Sequence, residues 1–291
     1  MTVTIEQSYI NTFSSNIMNL VEQKTAALKG IFGEEFKTGE KHFFERLGSF
    51  TATEIVSRMQ ATEMQDPSHS RRMATVKVFG ASVGFDILLD KIKLLIDPLS
   101  DYAMKLASAH GRVYDSEVID AIIGNAQTDK TGSTAVALPS GQKIAHGSAG
   151  LTVAKLHSAL KNFKKNFIDP NTTDVFLIVG AEGVEDLYTD TSNVLTSFDF
   201  QAGKPISDGS MPKFRGVNIV SSELIPDITP GSQARALLVT RAAVKVAVSD
   251  GLTLKTAELP TNNFNTLISS YSSVGAVRME EEQVVEIAYN Y

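Results

Sequence analysis

Residues 97–132 read DPLSDYAMKLASAHGRVYDSEVIDAIIGNAQTDKTG, and their apolar spacing predicts the longest helix of the chain. Asp97 suits the N-cap, because its carboxylate can accept from a first-turn amide. Pro98 suits the first helical position, where a missing amide costs nothing. Leu99, Tyr102, Ala103, Leu106, Ala107, Val113, Tyr114, Val118, Ile119, Ile122 and Ile123 then recur on one face, and Gly124 is the expected stop. A helix over 98–124 spans about 40 Å at ~1.5 Å per residue. Gly111 lies in its middle at a cost of about 1 kcal/mol relative to alanine, so a bend is expected there.

Upstream of this helix, Ile10, Phe13, Ile17, Leu20, Val21, Ala27 and Leu28 give Ile5–Leu28 a helical spacing that ends at Gly30 and Gly33. Phe36–Phe50 carries two glycines and the pair Phe43–Phe44. Thr51–Thr62 and Arg71–Ile87 are rich in β-formers, and the polar run EMQDPSHS between them is a turn. This pattern predicts a long two-stranded hairpin with a charged tip, where Arg58, Glu63, Asp66, Arg71 and Arg72 gather. Those charges serve either solubility or ion pairing between subunits; the second sets register more than affinity. The hairpin is thin in apolar residues, and an isolated hairpin is marginal in water, so it needs a partner surface.

Downstream, residues 125–150 are rich in Gly, Ser and Thr, with a short apolar piece at Val136–Leu138. Helical spacing returns at Val153, Leu156, Leu160, Phe163 and Phe167, with Lys155, Lys161, Lys164 and Lys165 mostly off the stripe. Val175–Val179 is a continuous apolar run, hence a buried strand. Glu182–Tyr188 reads as a short helix and Gly203–Pro212 as a loop. Val217–Val220 and Ala236–Val239 are strands, Ala243–Val248 is strand or helix, and Ala276–Met279 with Gln283–Tyr289 forms a closing hairpin around Glu280–Glu282. The order predicts a mixed α+β fold with two interleaved subdomains.

The 291 residues suffice for a sizeable core. There is no cysteine, which excludes disulfides, thiolate zinc sites and cysteine nucleophiles. No apolar run approaches the ~18 residues of a membrane span, and the start lacks the basic-then-apolar order of a secretory signal. The net charge of −6 disfavours a broad nucleic-acid-binding face but suits the wall of a DNA container, which should repel its contents.

Chemistry is sparse. His42, His69, His110, His146 and His157 show no metal-ligand spacing, and no cofactor is implied. The strand-to-helix turn VGAEG, Val179–Gly183, has the context of a phosphate-binding turn but lacks the glycine spacing of a nucleotide motif. Glu34/Glu35 and Glu280–Glu282 read as solvated loops.

The stretch Asp97–Gly132 resembles a segment of tailed-bacteriophage major capsid proteins, carried by Asp97, Pro98, Tyr102, Gly111, Arg112, Asp115, Gly124, Ala126 and Gly132. FFERLG (Phe43–Gly48), DPSHSRR (Asp66–Arg72) and the final GAVRMEEEQVVEIAY are similar to that group as well. The resemblance implies the Hong Kong 97-like fold. An N-terminal arm is expected over about 1–35, an extended E-loop hairpin over 36–90, and a peripheral domain with the spine helix over 91–149. An axial domain over 150–250 and a return to the peripheral domain over 251–291 complete it. It implies a non-enzymatic subunit that assembles with itself into hexamers and pentamers of an icosahedral virion capsid around double-stranded DNA. Assembly is expected in the bacterial host cytoplasm, without a membrane. With no room for a cleavable scaffold domain before the arm, a separate scaffolding protein is the expected partner, with a portal and decoration proteins. Relatives that cross-link join an E-loop lysine to an asparagine; Lys77 and Asn262, Asn263 or Asn265 are the types present, and no cross-link is predicted. Two alternatives are an encapsulin-like nanocompartment shell and, in a different class, a small-molecule-binding α/β enzyme using Gly180–Gly183.

Overall fold

The computed structural model describes residues 26–36, 38–62, 64–85, 99–189, 213–214, 216–261 and 265–291. Residues 1–25, with most of the expected Ile5–Leu28 helix, lie outside the described residues, as do Glu63, Asp97, Pro98, the Gly203–Pro212 loop, Asn262 and Asn263. Strands β1 (Gly33–Phe36), β2 (Lys41–Leu47), β3 (His69–Thr75) and β4 (Lys77–Phe85) come first. Helix α1 (Leu99–Ile123) follows, then β5 (Ala126–Thr128), β6 (Thr134–Val136) and β7 (Lys143–Ile144). Next are α2 (Val153–Lys165), β8 (Val175–Val179) and α3 (Ala181–Thr189). Then come β9 (Lys213–Phe214), β10 (Val217–Ser221), β11 (Gln233–Thr240) and β12 (Val244–Val248). The chain closes with β13 (Thr253–Leu259), β14 (Asn265–Arg278) and β15 (Val284–Asn290).

A six-stranded sheet in the order β7-β15-β11-β8-β10-β9 lies at the centre. Leu177, Val179, Ala236 and Leu238 enter a core covered by α2 and α3, whereas Ile178, Leu237 and Val239 enter a second core against α1. Burial on both faces is why β8 reads as an unbroken apolar run. The Thr152 hydroxyl caps α2 by accepting from the Lys155 amide, and Leu156, Ala159, Leu160 and Phe163 turn inward. The second core joins Tyr114, Val118, Ile119 and Ile122 of α1 to Leu28, Phe32 and the strands of a five-stranded sheet, β1-β12-β14-β13 with β4 on β14. Val244, Val246 and Val248 alternate into it, so Ala243–Val248 resolves as strand.

Helix α1 runs from Leu99 to Ile123 through Gly111 as one unbroken helix. Glycine lowers helix stability but does not by itself break the backbone ladder. Tertiary contacts hold the helix at this level: the two ring nitrogens of His110 lie 2.7 Å from Ser272 Oγ and 2.8 Å from Ser270 Oγ on β14.

Two expectations need correction. The hairpin exists, but in a different place. Its strands are β2 and β3, paired from Lys41 opposite Thr75 to Leu47 opposite His69, in a four-stranded sheet β2-β3-β5-β6. Thr51–Thr62 contains no strand, and β4 leaves the hairpin to pair with β14. The β-formers at Thr51, Thr53 and Ile55 have no facing strand within the subunit, and β propensity expresses itself only against neighbours.

The closing hairpin is absent. Strand β14 ends in the five-stranded sheet, and β15 crosses into the six-stranded one beside β11, with Gln233 opposite Asn290. The cause is burial. Val285, Ile287 and Tyr289 face the α2/α3 core and Val284 faces the α1 core, so β15 needs a layer on each side. The turn is held open between sheets by the Met279 amide donating to Ala243 O at 2.8 Å and the Thr240 amide donating to Gln283 O at 3.2 Å.

Candidate functional site

Between β2 and β3 runs a segment, residues 48–68, with almost no packing of its own. Phe50, Ile55, Val56, Met59 and Met64 are exposed, Met59 to 98 %. Among the described residues, hydrogen bonds tie its neck and its middle. The Gly48 amide donates to Ser68 O at 2.8 Å, and the Thr51 amide donates to Gln65 Oε1 at 3.0 Å. At the middle, Gln60 Oε1 accepts from the Val56 amide at 2.9 Å and folds a turn in which Met59 takes a left-handed φ of 68°. A run of exposed large apolar side chains on an extended segment marks an interaction surface.

The base of this hairpin is rigid. Arg72, 3 % exposed, forks onto Glu281, with Nη2 donating to Oε1 at 2.6 Å and to Oε2 at 2.8 Å. Arg278, fully buried, reaches the same carboxylate from β14 at 3.7 Å. Its Nη1 also donates to Ile122 O at 2.8 Å and Gly124 O at 2.6 Å, and its Nη2 to Val136 O at 2.9 Å. The first two carbonyls lie at the end of α1, where a helix leaves acceptors unpaired, and the third belongs to β6. Burial pulls both guanidiniums below their usual range, and Glu281 opposes that pull in each. One buried carboxylate thus joins the hairpin, the end of α1 and the crossing between sheets. Gly275 lets β14 approach the hairpin closely, since a Cβ there would collide with Thr75 O.

The root of the N-terminal region is fixed separately. Asp115, fully buried on α1, accepts from the Ala27 amide at 2.7 Å and the Leu28 amide at 3.0 Å. The Tyr114 hydroxyl donates to Glu34 Oε1 at 2.7 Å; burial and that carboxylate push its pKa well above the ordinary phenol value. Lys77 donates to Glu117 Oε1 at 2.8 Å.

The charges expected at the hairpin tip are divided. Arg58 and Asp66 lie in the exposed segment. Arg71 and Arg72 are on β3, at the base: Arg71 pairs with Glu45 at 3.0 Å and stacks over Phe43, and Arg72 is committed inward. Glu280–Glu282 is not a wholly solvated loop either, since Glu281 is buried. Sequence reading passes over Arg278 and takes Glu281 as solvated. The usable signal was Arg278 itself, a charge inside the run GAVRM in a long strand, where an inward arginine demands a carboxylate.

A family model for phage capsid proteins matches residues 5–290. The chain belongs to the phage capsid proteins. Solved structures agree on the fold. The chain is similar to one from Mycobacterium phage Che8 at 16 % identity, with 98 % of each chain covered and a TM-score of 0.73. It is similar to the cyanophage Pam1 capsid at 11 % identity, covering 99 % of this chain and 98 % of that one, with a TM-score of 0.74. It is also similar to the capsid of Ralstonia phage GP4 at 12 % identity, covering 100 % and 98 %, with a TM-score of 0.72. No curated protein matches it by sequence.

In this capsid protein the turn at Gly180–Gly183 is already occupied by the chain's own anion. Glu223 Oε1 accepts from the Ala181 amide at 2.5 Å, and Glu182 and Asp227 line the same hollow. That setting repels a phosphate. Among the described residues no group of three acidic or histidine side chains is placed to hold a metal ion, and no helix is long and apolar enough to cross a membrane.

Proposed function

We propose that the chain is the major capsid protein of a tailed bacteriophage, with the Hong Kong 97-like division into arm (1–35), E-loop hairpin (36–90), peripheral domain (91–149 with 251–291) and axial domain (150–250). It assembles with itself into hexamers and pentamers of an icosahedral shell enclosing double-stranded DNA, in the host cytoplasm. A separate scaffolding protein and a portal are its further partners. No covalent cross-link forms, in keeping with Lys77 being engaged by Glu117.

The observation that carries this reading is the 48–68 segment, which exposes five large apolar side chains on a hairpin whose base is locked by Arg72 and Glu281. A rigid base with an uncovered apolar reach suits a surface buried only on a neighbouring copy. The test replaces 49–67 by Asn-Gly, which closes β2 onto β3 as a tight turn. Monomer stability should change by no more than about 1 kcal/mol, since the segment packs on nothing described. Shells should be lost, as read by sedimentation and negative-stain microscopy. Normal particles from this variant would overturn the reading.

A further inference from the structure

The parallel strands β8 and β10 carry opposite charge at their two ends. Pro170, Asn171 and Gly216 lead into the strands, and there the last turns of α2 overhang a groove lined by Lys161, Lys164 and Lys165. All three lysines are exposed, and none pairs with a described carboxylate. Exposed Lys213 on β9 adds to this end. The acidic groups nearby are Asp169 and Asp174, the latter paired with Arg241 at 3.6 Å.

The opposite end follows the same two strands out. Glu182, Glu223 and Asp227 border a cavity of about 340 Å³ there. The cation beside them, Arg235, is taken by Glu286 at 3.2 Å. Hydrogen bonds reach two of the three carboxylates, from the Ala181 amide to Glu223 and from the Tyr291 hydroxyl to Asp227 at 2.7 Å, but no described cation neutralises any of them. Tyr289 reports the field: burial, then Asp186, Glu223, Asp227 and Glu182, push its pKa up to about 12. The two ends stand about 16 Å apart, five residues at ~3.3 Å each.

Two open, opposite faces on one unit suit a head-to-tail contact, because a self-matching contact would set like charges together. We propose that the Lys161, Lys164 and Lys165 face of one copy docks on the Glu182, Glu223 and Asp227 cavity of the next, joining subunits around a ring. The contact rests on the capsid reading above and assigns it a surface.

The full chain is produced under conditions in which the unaltered protein forms shells. Lys161→Glu with Lys164→Glu, and separately Glu182→Lys with Asp227→Lys, should each cut the yield of rings and shells by roughly tenfold or more. Thermal melting confirms that each variant is folded. Combining all four substitutions should restore the yield to within about twofold of the original, because the four charges are reversed together while Lys165 and Glu223 keep opposite signs. Lys161→Gln with Lys164→Gln, which adds no repulsion, should lower the yield less and weaken its salt dependence. Shell yield unmoved by either reversal, or a quadruple variant that folds without recovery, overturns the contact while leaving the capsid reading intact. Intact shells with reduced DNA content in the lysine variants also overturn it, and assign the groove to nucleic acid. An unaltered chain that never forms shells overturns the capsid reading itself.

Discussion

Glu281 sits between two guanidiniums, Arg72 and Arg278, both nearly sealed from water. Removing one member of such a group strands the others, which typically costs about 3–5 kcal/mol. Glu281→Gln should therefore lower unfolding free energy by about that amount in urea titration, with an unchanged denaturant slope. Tyr289 gives a second prediction at this scale. Its folded-state pKa is raised from 10.0 to about 12, so its contribution is fully present below pH 10 and is lost as pH rises through about 12. Melting temperature should fall across that window, by the equivalent of about 2–3 kcal/mol for two units, and Tyr289→Phe should remove this part of the alkaline loss.

Helix α1 shows how an element gathers functions that its sequence only partly announces. The apolar stripe and the stop near Gly124 are written locally, and both stand. The roles of His110 and Asp115 are not, because their partners lie about 160 and 90 residues away. A buried carboxylate that satisfies two amides is expensive to lose, at about 1–3 kcal/mol for each stranded donor. Asp115→Ala should destabilise the protein by about 2–4 kcal/mol and accelerate hydrogen exchange at the Ala27 and Leu28 amides, read by mass spectrometry. The hairpin carries the converse lesson. Its strands lie where Phe44 finds Ala74, Val76 and Val277 of β14 to cover, and not where β-formers are densest.

At the scale of the molecule, the six-stranded sheet is shared by two cores, which predicts one cooperative unit. Leu177→Ala opens the α2/α3 core and Ile178→Ala the α1 core, and each should cost about 2–5 kcal/mol. Calorimetry should show a single transition displaced downward in both variants. Two separated transitions would mean that the cores fold independently.

Much of the fold was legible because local patterns carried it: the apolar runs of β8 and β11, the α2 stripe with its off-stripe lysines, and the turn before α3. The placement of charge was not legible. Arg71 and Arg72 read as tip residues because sequence distance was taken for spatial distance, whereas the strand register puts them at the base. Sequence alone determined the mixed α+β class, the long helix and the capsid resemblance, since periodicity and motif spacing are local. Tertiary structure alone decided that β14 and β15 part company, that Arg278 and Glu281 are internal, and that residues 48–68 stand uncovered. Each of these depends on which surfaces remain to be buried once the sheets have stacked, and no local window of sequence contains that information.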